Sequence, residues 1–134
     1  MNDIEAAVVR RIEELASETI ALTQAMVRID SRNPTLPGVV HDEVIGGETK
    51  VNDLLEESYR AAGLTVSRVA EDAQRSNLVG IRKGTGGGRS LALNGHVDTV
   101  SPVEPAGWVT GNPWDPQIPI KFIRFNDHKL RFLI

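Results

Sequence analysis

The stretch Leu91-Ala-Leu-Asn-Gly-His-Val-Asp-Thr-Val100 decides how the rest of the chain is read. An apolar run ends in a glycine, and a histidine and an aspartate follow with one residue between them. If the run is a buried strand ending near Asn94, Gly95 lets the backbone turn. His96 and Asp98 then leave the rim of the sheet on one side of the chain. Strand ends are where open α/β sheets place their sites. An imidazole nitrogen is a good zinc ligand, and a carboxylate two residues on either binds metal itself or orients a metal-bound imidazole. Taken alone, the same pattern reads more readily as an ordinary polar turn.

Upstream, apolar residues recur at Ile4, Val8, Ile12, Leu15, Leu22, Met26 and Ile29, in steps of three, four and seven that predict one amphipathic helix over residues 3–29. Glu5, Arg11, Glu14 and Glu18 fall on its solvated face, and Asp3 suits the positive end of the helix dipole. Pro34 disfavours helical geometry in Asn33, so residues 30–47 read as an irregular connection. His41, Asp42 and Glu43 lie within it, but adjacent residues on an extended chain point to opposite sides, which argues against a metal cluster. A second helix is expected over residues 48–62, with Val51, Leu54, Leu55, Ser58 and Tyr59 on one stripe and Gly63 as its stop. Strands are expected over residues 64–69, 77–83 and 89–94.

The glycine-rich segment Lys83-Gly-Thr-Gly-Gly-Gly-Arg-Ser90 contains no Gly-Lys-Ser/Thr and leads into a strand rather than a helix, so it reads as a hairpin loop and not as a phosphate cradle. After Val100 comes a loop stiffened by Pro102, Pro105, Pro113 and Pro116 and carrying Trp108 and Trp114. Such a loop either walls a site or covers the rim of the core.

A length of 134 residues suits one domain or part of one, and 40% hydrophobic with 25% charged residues is ordinary for a globular protein. The net charge of -3 argues against a nucleic-acid partner, which would ask for a basic face. With no cysteine in the chain, any metal site must be built from His, Asp and Glu. The first residues lack the order of a signal peptide, and no apolar run reaches the length of a membrane span. A cytoplasmic protein without a membrane partner is the expectation.

Asn94-Gly-His-Val-Asp-Thr-Val100, followed by Gly107-Trp108 and Asn112-Pro-Trp-Asp-Pro116, resembles the first metal motif of the acetylornithine deacetylase/succinyl-diaminopimelate desuccinylase family. These are zinc-dependent amidohydrolases and exopeptidases. Ile29-Asp-Ser-Arg-Asn-Pro34 and the Ala61-Ala-Gly-Leu64 helix exit extend the resemblance, which covers roughly residues 4–118. It implies that His96 is a zinc ligand and Asp98 the carboxylate that orients it. It further implies two zinc ions in a complete active site, with cobalt able to substitute, and a small N-acyl amino acid or related molecule as substrate. In the family the metals activate a water that attacks the amide carbonyl while a glutamate acts as base.

The family pattern continues with Gly-Arg-Gly-x-x-Asp, whose aspartate bridges both metals, and this chain departs from it. Residues 119–134 contain no glycine, hold all three phenylalanines, and carry four basic residues against one acid, where residues 1–118 carry 11 against 17. Asp127 and His128 fall near the expected bridging position but read more simply as part of a polar turn. A shifted frame or truncated gene is expected to account for this tail, the alternative being a genuine basic, apolar extension that binds an acidic partner or a membrane surface.

The fold class expected is therefore α/β, with helices packed on a mixed β-sheet. Residues 1–118 would form the incomplete N-terminal part of a zinc-exopeptidase-like catalytic domain, and residues 119–134 an atypical tail. The function expected is that of a metal-dependent deacylase, inactive as this chain alone. The alternative is a non-catalytic binding module or one that completes another chain's fold.

Overall fold

Asn2 opens the first helix with a reciprocal cap: its side-chain oxygen accepts from the Glu5 N–H at 2.9 Å, and its own N–H donates to Glu5 Oε2 at 2.9 Å. In the computed structural model, which describes residues 2–102, 107–108 and 110–117, this helix is α1, Asp3–Glu14. A second, α2, runs Ala16–Val27. The single helix expected over residues 3–29 is thus two, divided at Leu15. The Leu15 carbonyl accepts from both the N–H and the hydroxyl of Thr19, at 2.9 and 3.0 Å, and such back-bonding bends a helix.

Residues 30–47, expected to be irregular throughout, contain a short turn of helix, α3, His41–Val44, and the first residue of α4, Gly47–Ala61. The helix α4 ends as its sequence predicts. Gly63 takes a positive φ of 78°, its N–H bonds the Arg60 carbonyl, and the Leu64 N–H reaches back to the Tyr59 carbonyl at 3.0 Å. That pair of bonds satisfies carbonyls the helix would otherwise leave open. The chain then enters β1, Thr65–Val69, and returns through a 3-10 turn, Ala73–Arg75, into β2, Asn77–Ile81. The two strands are antiparallel, with Val66 opposite Gly80 and Arg68 opposite Leu78.

Helix α4 is fastened to this hairpin from end to end. Asn52, buried, donates to the Ser76 carbonyl at 2.6 Å, and the Thr49 hydroxyl donates to the Gln74 carbonyl at 2.7 Å. Arg68 on β1 reaches Asp53 and Glu56 on the helix. Gly80 is where the ring approaches the strand: a side chain there would meet Tyr59 and Leu64 atoms at 2.6 Å. We expect Asn52→Ala to destabilise the chain by about 1–3 kcal/mol, because the Ser76 carbonyl would be left buried without its donor. Urea unfolding followed by circular dichroism measures this, and a loss under about 0.5 kcal/mol contradicts it.

Helices and strands together make this a mixed α/β chain, but the sheet differs from expectation. Among the described residues it has two antiparallel strands rather than a mixed set. Residues 89–94 form no strand, and Leu91 and Leu93 are 83% and 89% exposed. An apolar strand of that kind is held by cover on both of its faces. No described residues provide that cover. Ile4, Val8 and Ile12 keep their helical spacing yet also lie exposed on α1. Among the described residues the parallel pairing is the isolated bridge between Arg32 and Thr99. Among the described residues, no helix is long and apolar enough to cross a membrane.

Candidate functional site

The site is assembled where residues 30–33, leaving α2, run beside residues 97–99. The Thr99 N–H donates to the Ser31 carbonyl at 3.0 Å and the Asn33 N–H to the Thr99 carbonyl at 2.9 Å. The buried Ser31 adds its hydroxyl, which donates to the Val97 carbonyl at 2.8 Å. Gly47 lets the start of α4 press against the backbone of Asp30 and Ser31, where a side chain would overlap them. Residues 97–99 are thus held by backbone and hydroxyl bonds although no regular sheet surrounds them.

Upon this support stand the two residues singled out in the sequence. His96 Nδ1 lies 3.0 Å from the main-chain oxygen of Asp98 and 3.1 Å from its Oδ1. A carbonyl oxygen has no proton to give, so Nδ1 carries the proton and donates. In the neutral ring, Nε2 is then left with its lone pair, and the His96 side chain is 85% exposed. This is the donor chemistry of a histidine that binds a metal through Nε2 while a carboxylate holds the other nitrogen. The pair fits one ligand of a zinc site and its orienting group. Among the described residues, no set of three or more His, Asp and Glu gathers to complete such a site.

Two further residues belong to the arrangement and were not assigned roles from the sequence. Asn33 Nδ2 donates to Asp98 Oδ2 at 2.9 Å, and Ser31 fixes Val97 as described above. Both lie in the segment that carries the family resemblance, but their partners are 65 and 66 residues away. No local spacing could have revealed the contact.

Behind His96 and Asp98 opens a cavity of about 530 Å³, lined by Met26, Val27 and Val51 on the helical side and by Trp108 and Trp114 on the other. The tryptophan loop therefore both walls the space beside the site and covers α2. It is tied to α2 where Gln24 Nε2 donates to the Pro116 carbonyl at 2.8 Å. His41 and Asp42 pair with each other at 2.9 Å on the exposed turn α3, away from this constellation's hydrogen bonds. Asp127 and His128 lie outside the described residues.

Next to the site, Arg32 grips Asp30, with Nε 2.9 Å from Oδ1 and Nη2 2.8 Å from Oδ2. The guanidinium hydrogen bonds hold the Asp30 carboxyl below its ordinary 3.8, against an opposing push from partial burial. In acid the unfolded chain takes up this proton before the folded one does. The stability contributed by Asp30 is therefore complete above the ordinary value and lost as pH falls through the lower, folded value. Chemical unfolding measured from neutral pH down to about pH 2 should show a shallower acid loss in Asp30→Asn than in the parent chain. Parallel curves would mean that the pair contributes nothing.

No protein-family model, no curated protein and no solved structure matches the chain.

Proposed function

We propose that the chain is the opening part of a zinc-dependent amide-hydrolase catalytic domain, in which His96 is a metal ligand and Asp98 orients it. The observation that supports this most is the hydrogen bonding of His96 Nδ1 to Asp98, which commits the ring to presenting Nε2. The parent reaction would remove an acyl group from an N-acylated amino acid or a related small molecule in the cytoplasm. Zinc, when bound, would supply the polarised water and hold the oxyanion. Within this chain, His96 would bind the metal, Asp98 would fix the ring, and the remaining ligands and the base would come from outside the described residues.

A titration with zinc, followed on the ring resonances of His96 and His41, tests the reading. We expect His96 to respond first, His96→Ala to abolish the response, and the affinity to be low, since stable protein zinc sites use three or four ligands. The zinc-loaded chain should turn over no N-acetyl amino acid. A response at His41 with none at His96 rejects the assignment.

A second reading is supported by the exposed Leu91 and Leu93: the chain completes the fold of another polypeptide, which would cover that run. It differs in its forecast. A fold-completing segment becomes markedly more stable when its partner is added, whether or not zinc is present.

A further inference from the structure

We infer that Asn33 is a positioning residue, which sets the Asp98 carboxylate and through it the His96 ring; this rests on the proposed role of His96. The Asn33 side chain has one acceptor and one donor group, and both are committed. Its oxygen accepts from the Thr35 N–H at 2.9 Å and from the Thr35 hydroxyl at 2.7 Å. Those two donors fix which way the amide faces, so that Nδ2 points at Asp98 Oδ2, 2.9 Å away. With Oδ2 engaged, Oδ1 is the oxygen turned towards His96 Nδ1 at 3.1 Å.

The backbone makes this chain of contacts rigid at its base. Asn33 is anchored through its own N–H to the Thr99 carbonyl, the residue after Asp98. Asn33 therefore controls both the path of the backbone at residues 98–99 and the torsion of the carboxylate that stands on it. Without Nδ2, the Asp98 side chain is free to turn towards solvent, and His96 Nδ1 keeps the main-chain oxygen as its remaining acceptor. The ring then loses one of two contacts that favour the Nδ1–H tautomer, the tautomer that leaves Nε2 able to bind a metal.

The test uses the whole 134-residue chain without metal, at a pH well above the ordinary imidazole value of about 6.5. The ring-nitrogen chemical shifts of His96 report the tautomer directly. The parent chain should show Nδ1 protonated. Asn33→Asp keeps the volume and the acceptor for Thr35 but replaces the donor by an oxygen, and should move His96 towards the other tautomer. Adding Asp98→Asn to that variant restores one donor and one acceptor in exchanged places and should return the parent spectrum. A purely structural role for Asn33 predicts no such rescue.

Zinc affinity followed on the same resonances should fall about tenfold in Asn33→Asp, the lower end for outer partners of a metal-bound histidine. Unchanged tautomer shifts in Asn33→Asp, or a change that the double variant fails to reverse, overturn the inference. Should Asn33→Asp not fold, Asn33→Ala gives the same readout, with the shift absent in an Asp98→Ala background if the effect runs through Asp98. Failure of zinc to reach His96 in the parent chain instead counts against the metal reading, and the tautomer result stands apart from it.

Discussion

Gly47→Ala is expected to destabilise the chain by at least about 3 kcal/mol, beyond the usual range for a single substitution. Helix propensity alone predicts the reverse, since alanine in a helix is favoured over glycine by about 1 kcal/mol. Packing decides the sign. A β-carbon at this position would overlap the Asp30 carbonyl oxygen and sit 3.0 Å from Ser31 Cα, and every atom it meets is backbone. That backbone cannot give way cheaply. The Ser31 carbonyl receives the Thr99 N–H, and its hydroxyl holds Val97. Moving the segment breaks these bonds, and each buried group left without a partner costs about 1–3 kcal/mol. Gly84, with nothing within 4 Å, provides the control, and Gly84→Ala should leave stability within about 0.5 kcal/mol of the parent. Urea midpoints of the three proteins decide the matter; equal midpoints for Gly47→Ala and Gly84→Ala would show that α4 does not press on residues 30–31.

The same contact shows what the sequence could and could not reveal. The exit of α4 through Gly63 was legible because its signal is local: a helical stripe, a glycine in the left-handed region, and a return bond to Tyr59. The strands expected over 64–69 and 77–83 were legible for a similar reason, lying between turn residues, and they form over 65–69 and 77–81, with β2 alternating in burial. His96 and Asp98 were found by a spacing of two, and their hydrogen bond is equally local. Gly47, by contrast, read only as the last residue of an irregular connection, and its constraint comes from a backbone segment that no nearby residue announces. Asn33 and Ser31 escaped for the same reason.

The expected third strand was misjudged by a different route. An apolar run such as Leu91-Ala-Leu states a preference for burial, but burial needs cover, and the pattern does not say which chain supplies it. Among the described residues Val44 and Val51 are buried, whereas Ile4, Ile12, Leu91 and Leu93 remain more than half exposed. The apolar surface is written into the sequence in the right periodicities, and among the described residues it has no second face. That imbalance agrees with the proposal of a partial catalytic domain, in which the remaining elements would close over the exposed run.

With so little buried, substitution of Val51 should have an effect out of proportion to its size. At 1% exposure it is the most enclosed large side chain described, and it lines the cavity beside His96 and Asp98. It therefore joins α4 to the segment, residues 96–99, that carries the site. Val51→Ala removes two methyl groups and should cost about 1–3 kcal/mol, the transfer term plus whatever cavity the neighbours fail to fill. Val51→Asp places a carboxylate beside a cavity whose lining holds Met26, Val27 and the tryptophans but no lysine or arginine, and should cost about 4 kcal/mol or more. Against a total that is at most about 5–15 kcal/mol for an ordinary domain, and less where the core is small, the aspartate is expected to abolish the cooperative transition. Tryptophan fluorescence and circular dichroism during urea unfolding separate the cases. A lowered transition in Val51→Ala that coincides for both probes, with no cooperative transition in Val51→Asp, shows that α4, the tryptophan loop and residues 97–99 unfold as one unit. A normal transition in Val51→Asp shows instead that the cavity is open to water, and that His96 and Asp98 are held by residues 30–33 alone.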